Sequence, residues 1–455
     1  MSPSHRTLFI VIGASLLLAL LPLAAWLYFD VSYGRQLQRE LDKVRAEHAP
    51  LSLTEAAPKA PPPDQNAATL YMPIFQVNLD PQNPKYPVGA KGLNRFDMPE
   101  ARKVGEWAWA EAMRPVLAST DCRQALAALR QASLRPQCAF PVRWEDGSDA
   151  FGFPHLVQMR QATRLCSARA MVEARDGNMA GALDWLGVCY RMADQASQEP
   201  TLIAQLVGIA MLAITDKAAR AVLDAGEVTP AIAARVRADL DRLQVGPRFA
   251  QAMRGERAMG LDVFRQMRTG DMSYAMISDP NGGDAAPRAA LMVLAGPLRP
   301  YWKLEELNYL RDMRQYIDRV KQPSRVTTAR QNPQLDANRG FARIMTSILL
   351  PVFGRAGGKR DQALAELDIL RTGMALKLIK RDTGSYPATL DALRPSRARD
   401  IFTGRDFVYQ RKAKGFKLYS IGVNLRDDHG VGYQRHTPPV AEGSETDDVA
   451  WECAR

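Results

Sequence analysis

The pattern of apolar and polar positions divides the chain before any motif is considered. Residues 8–29, LFIVIGASLLLALLPLAAWLYF, run without a charge for 22 residues, about 33 Å as a helix and long enough to cross a bilayer. Charged, helix-compatible residues continue to 48. A Pro/Ala-rich stretch follows, APLSLTEAAPKAPPPDQNAA at 49–68. Its three successive prolines exclude a helix interior and predict an extended, semi-rigid spacer holding the body off the membrane. From 98 to about 245 the period is helical. Within 155–195, Ala170, Ala174, Ala182, Leu183 and Leu186 flank the turn DGNM, and Gly177 supplies the left-handed residue that ends the first helix. This predicts one helical hairpin of tetratricopeptide type, with no legible array. The near-apolar helix at 201–223 contains Gln205 and is too short and polar to span, so it reads as a core helix. Thr229 and Pro230 begin the next helix as N-cap and first-turn proline. Gly255 and Gly260, inside a helix at 247–269, predict close helix contact.

The C-terminal end differs. A helix over 360–383 places Leu364, Leu367, Leu370, Met374 and Leu378 on one side and stops at Gly384. The alternation in DIFTGRDFVYQRKAKGFKLYSIG, with Lys414-Gly415 at its centre, predicts a two-stranded hairpin. The expected fold is mainly α. It has an anchor and juxtamembrane helix (1–48), a Pro-rich spacer and extended segment (49–97), a helical body (98–355) and an α+β module (356–455).

Composition changes this picture little. The chain has 455 residues, 46% of them apolar, and a net charge of +11, which favours anionic partners. The basic residues alternate with carboxylates, as in LRDMRQYIDRVK at 310–321, so a solvated mixed face is expected and nucleic acid is not. For the first segment an uncleaved lipid-bilayer anchor over residues 8–29 is preferred to a signal peptide. The apolar run exceeds a signal's 7–15 residues, and the interfacial Trp26, Tyr28 and Phe29 follow the poor cleavage site Leu23-Ala24-Ala25. Counting Arg6 against Arg35, Arg39, Lys43 and Arg45 slightly favours a cytoplasmic body. The cysteines point the other way: Cys122 brackets a helix and turn with Cys138, and Cys166 and Cys189 fall at equal height in the hairpin. Two disulfides and an oxidising compartment are one reading; five small buried hydrophobes, Cys453 included, are the other.

The last 95 or so residues resemble the globular part of type II secretion major pseudopilins. The matching positions, in order, are Tyr386 and Pro387, Leu390 and Leu393, Asp400 and Gly404, Tyr409, Tyr419, Ser420 and Gly422, Asp427 and Asp428, then Asp447, Asp448 and Trp451. Ile401, Thr403 and Asn424 depart from that pattern, and no prepilin peptidase site precedes the apolar run. The whole chain is similar to uncharacterised single-span bacterial envelope proteins through LDKVRAEHAPLSL, FPVRWEDG (140–147), QEPTLIAQLV (198–207) and RGERAMG (254–260). That resemblance implies an inner-membrane protein with a periplasmic C-terminal body, and it supports the disulfides.

The pseudopilin resemblance also implies calcium, held by Asn424, Asp427 or Asp428, and Asp447 or Asp448, oxygen donors that suit a hard cation. The bland alternative is a solvated acidic turn. No Gly-x-Ser-x-Gly, His-Glu-x-x-His or dinucleotide fingerprint occurs. FGRAGGKR at 353–360 imitates a phosphate loop with the wrong spacing and reads as a glycine-rich connector. His155 reads as capping or packing, and Glu256, between Arg254 and Arg257, as an ion-pairing residue. The expectation is a non-enzymatic envelope protein with unidentified protein partners and no small-molecule substrate. An accessory factor of a type II secretion or type IV pilus-like system is the first alternative, and a hydrolase with an unrecognised site the second.

Overall fold

The computed structural model describes residues 3–77, 79, 91–96, 105–145, 153–269, 296–322, 342–394, 398–432 and 446–454. The fold is mainly helical, with a three-stranded antiparallel sheet near the C-terminus. The apolar run belongs to α1 (Pro3–Ala46), which continues unbroken into the charged residues. Its second half does not stand free. Leu37 and Val44 are buried with Leu307 and Leu310 of α12 (Arg299–Val320).

The expected spacer is instead a packed strap, α2 (Leu53–Ala56) and α3 (Ala68–Phe75). Leu53 is buried and its N–H donates to Asp262 Oδ2 at 2.7 Å. Asn66 bridges to Gln137, and Tyr71 and Phe75 enter the main core. Prolines 61–63 are indeed outside any helix, but the apolar residues on either side have surface to bury, and that outweighs the extended preference of the prolines. The body is therefore not held away from α1.

The body begins with α4 (Glu106–Ala112), α5 (Arg114–Ala118) and α6 (Thr120–Ser133). At its centre α7 (Pro154–Arg175) and α8 (Met179–Ala196) form the expected antiparallel hairpin, turned by Gly177 at φ +82°. Across both lies α9 (Leu202–Ala225). This helix is long and apolar enough to cross a membrane, yet 56% of its apolar window is buried in the protein, as a core helix requires. In α10 (Pro230–Asp241) the Thr229 side chain accepts from the Ile232 N–H, the expected cap.

The glycines of α11 (Val245–Thr269) serve close approach. A methyl on Gly255 would overlap the Pro200 carbonyl, and one on Gly260 the Tyr309 ring. Two short sequence motifs thus interlock. Glu256 Oε1 accepts the Leu202 N–H at 2.7 Å, Tyr309 Oη donates to the Glu256 carbonyl at 2.9 Å, and Glu199 meets His155 Nε2 at 2.8 Å. Glu256 is buried rather than ion-paired at the surface. His155 is a packed residue, its ring 4.3 Å from that of Phe140.

The glycine-rich connector is helical: α13 (Ile344–Thr383) runs through it and across the expected boundary at 355/356. Packing overrides the poor helix propensity of Gly357 and Gly358. Gly357 lies against Tyr316 Oη, and the buried Arg360 donates to Asp361 and to the Val320 carbonyl. Gly384, at φ +79°, ends the helix as expected. Beyond a 3-10 turn at Leu390–Leu393, β1 (Val408–Arg411) and β2 (Phe416–Ser420) form the hairpin, with Val408 opposite Tyr419. A third strand, β3 (Val449–Cys453), pairs with β2 and places Leu418 opposite Trp451.

Candidate functional site

The sheet brings two acidic stretches together at one end of β2. The loop 421–432 leaves the end of β2, and Asp447 and Asp448 immediately precede β3, which returns beside that end. Three anchors hold this arrangement. The Trp451 ring stands edge to face with Phe416 at 5.5 Å and leaves no room for a side chain at Gly373 of α13. Its Nε1 donates to Asp224 Oδ2 of α9 at 3.1 Å. Arg220 Nη1 donates to the Ala450 carbonyl at 2.6 Å. On the other side, the turn at 400–404 offers Asp400 Oδ1 to the Ser420 hydroxyl at 2.9 Å and to the Phe402 N–H at 3.0 Å.

Asp428, Asp447 and Asp448 each present a carboxylate oxygen, and the three lie within 4.8 Å of one another. Backbone amides position them. Asp447 Oδ2 accepts the N–H groups of Val423 and Asn424, both at 3.1 Å, and Asp448 Oδ2 accepts that of Gly430 at 2.7 Å. Gly422, at φ +69°, could carry no side chain without meeting the Asp447 carbonyl and carboxylate. The remaining oxygens, Oδ1 of Asp447 and of Asp448, are buried without a hydrogen-bond partner among the described residues, and Asp448 is only 3% exposed. Burial pushes the Asp448 carboxyl up to about 6, with Asp428 and Asp427 adding to the rise. Burial also raises Asp447. Asp428 moves the other way, lowered chiefly by its hydrogen bond from Arg426 Nε at 2.7 Å. Two orphan carboxylate oxygens beside a third carboxylate form an arrangement that a bound cation would stabilise.

Of the expected ligands, Asn424 borders the cradle: its Nδ2 donates to Asp428 Oδ2 at 3.1 Å, while its Oδ1 accepts the Arg426 N–H at 2.8 Å. Asp427 turns away, accepting from Tyr419 Oη at 3.1 Å and from the His429 N–H at 2.8 Å. At the two places where two adjacent aspartates competed, Asp428 is selected over Asp427, whereas Asp447 and Asp448 both contribute. His429 is exposed on its ring and lies outside the group.

All five cysteines are free, so neither Cys122 with Cys138 nor Cys166 with Cys189 is bridged. Equal height in the hairpin does bring the second pair into side-chain contact. Each of the four sits in the apolar core, however, where burial pushes Cys122 up to about 11 and raises Cys138 well above the ordinary thiol range. For Cys166 the hydrogen bond with Cys189 acts in the same direction, ahead of burial. Cys189 Sγ lies 3.7 Å from the Thr163 carbonyl and 3.6 Å from Ser167 Oγ. Buried protonated thiols are poor nucleophiles for disulfide exchange, so free cysteines of this kind are compatible with an oxidising compartment.

Sequence reasoning missed an acidic pair between α9 and α13, the buried Asp216 and the half-buried Glu366. Asp216 is pushed up to about 7 by burial, with Glu366 adding to the rise, and Arg220 Nη2 contacts its Oδ2 at 2.5 Å. The only signal was an Asp and an Arg one helical turn apart. Comparison of the chain with protein-family models, with curated proteins and with solved structures finds no match.

Proposed function

We propose that the chain is a non-enzymatic, single-span protein of the bacterial inner membrane. Its periplasmic body makes protein contacts in the cell envelope, and its C-terminal module is stabilised by calcium. The observation that carries this reading is the group of Asp428, Asp447 and Asp448, with two buried carboxylate oxygens left without partners among the described residues. The three carboxylates supply hard oxygen donors of the kind calcium takes in flexible geometry. A site built mainly from surface loops suits the weak affinities, about 10⁻⁴–10⁻³ M, of extracytoplasmic modules. The anchor reading is supported by the bare apolar surface of α1 at Leu20, Leu21, Leu23 and Leu27. The strongly raised carboxyls Asp216 and Glu256 are packed between helices, which favours a structural over a catalytic role.

A second reading, an accessory factor of a type II secretion or type IV pilus-like system, is favoured by the C-terminal order of long helix, hairpin, acidic loop and closing strand. Crosslinking in native membranes with identification of the captured proteins separates the two, since recovery of a pseudopilin or secretion component supports the accessory role. For calcium the test is thermal unfolding of the full chain in detergent, with calcium and with chelator. We expect chelation to lower the Tm of the native chain but not that of the Asp447→Asn/Asp448→Asn variant. No chelator effect on the native chain refutes the calcium site.

A further inference from the structure

The surface of α1 changes character at one level. Through Leu20, Leu21, Leu23, Leu27, Tyr28 and Phe29 the helix is bare. From Asp30 onward one face of it packs on α12: Lys303 Nζ pairs with Asp30 at 2.6 Å, and Arg314 with Glu40 at 3.4 Å and Glu47 at 3.6 Å. The order of these pairs makes α12 parallel to the second half of α1, so the start of α12 is its end nearest the bare segment. Trp26 joins the two, its Nε1 donating to the Pro297 carbonyl at 2.8 Å. Beside this bond Leu298 is 38% exposed and the Arg299 side chain 52% exposed. Tyr301 and Trp302 are half-buried, packed edge to face at 5.1 Å.

Resting on the reading of residues 8–29 as a membrane span, we propose that Leu298–Trp302 lies in the headgroup layer of the bilayer that α1 enters, so that the helical body is seated on the lipid surface. Trp26 is one turn below Asp30, the first charge after the apolar run, about 6 Å along the helix. That is the zone where amphipathic Trp and Tyr rings settle, and the hydrogen bond from Trp26 fixes Pro297 at the same depth. The residues that follow suit the place: an exposed leucine, two aromatic rings with polar tips, and a guanidinium within reach of lipid phosphate. The one carboxylate of α1 at this level, Asp30, is met by Lys303 and by Arg299, the latter at 3.6 Å. No uncompensated negative charge on α1 therefore faces the anionic headgroups at this level.

The test reconstitutes the full chain into vesicles of phosphatidylethanolamine with phosphatidylglycerol. Leu20→Cys, Leu298→Cys and Leu425→Cys variants are each labelled with a small thiol-reactive fluorophore, and the native chain sets the labelling background. Lipids carrying a nitroxide on the headgroup or deep in the acyl chain then quench the label according to its depth. The label at 298 is expected to lose most of its emission to the headgroup nitroxide and less to the deep one. The label at 20 should show the reverse, and the label at 425 neither. If the label at 20 is quenched while that at 298 responds no more than that at 425, the body is not seated on the lipid. An unquenched label at 20 overturns the span itself.

Discussion

Glu256 offers a quantitative test of the interlock between α9 and α11. Burial pushes its carboxyl from 4.5 up to about 7, against which the Leu202 N–H supplies one lowering hydrogen bond. A carboxyl whose folded pKa is raised favours the folded state while protonated. That contribution is complete below pH 4.5 and is lost as the pH rises to about 7. At about 1.4 kcal/mol per unit, ionisation costs the folded state about 3 kcal/mol by about pH 8, and only about 1 kcal/mol near pH 5. Glu256→Gln keeps an Oε1 acceptor for Leu202 and removes the charge. We expect the variant to gain about 3 kcal/mol over the native chain near pH 8, but only about 1 kcal/mol near pH 5. For a chain of this length, with roughly 2 cal/mol/K per residue of unfolding entropy, this is a Tm rise of about 3 °C shrinking to about 1 °C. The assay is thermal unfolding of the full chain in detergent at the two pH values. A lower Tm for the variant near pH 8, or an equal shift at both, would refute a desolvated carboxyl at this position.

Five further outcomes follow from the same geometry. In the acidic cradle, protons compete with calcium as the pH falls through about 6, the Asp448 value. The chelator-induced loss of Tm should therefore be large near neutrality and nearly absent at about pH 5. Gly255→Ala should destabilise by at least about 1–3 kcal/mol, because the methyl meets the backbone of Pro200. Gly354→Ala, with nothing nearby, should stabilise by about 0.5–1 kcal/mol; both are read from denaturant midpoints. Trp451→Ala, which removes the ring packed on Phe416 and Gly373, should cost about 3–5 kcal/mol and raise proteolysis of the C-terminal module. Thiol titration of the denatured, unreduced protein should count all five cysteines, and a count of three or one would refute the free-thiol structure.

What was legible in the sequence was what local chemistry decides. Thr229 caps a helix, Gly177 and Gly384 end helices at positive φ, and Lys414-Gly415 turns a hairpin, each because a few neighbouring backbone groups determine the outcome. The strap was misread because prolines 61–63 report on their own backbone and say nothing of where Tyr71 and Phe75 will be buried. The connector at 353–360 was misread for the same reason: the partners of its Gly357 and Arg360, Tyr316 and Val320, come from another helix. β3 left a readable trace in the alternation of the buried Val449, Trp451 and Cys453, but five residues after a long polar loop gave it little weight. For the acidic site, the resemblance to pseudopilins implied that the two stretches meet but could not choose between adjacent aspartates. That choice is made by the turn of the loop, which aims Asp427 at Tyr419 and Asp428 at the cradle.

The strap carries a consequence for proteolytic release. A proline-rich connection between an anchor and a body is ordinarily where a protease sheds a soluble ectodomain. Here a cut between Ala57 and Pro63 would leave Leu53 buried on one side and Tyr71 on the other, with α1 still clamped to α12 by Glu40, Glu47 and their arginines. The nicked protein would remain a single particle, so clipping this exposed segment neither separates the body from α1 nor serves as a switch for its departure.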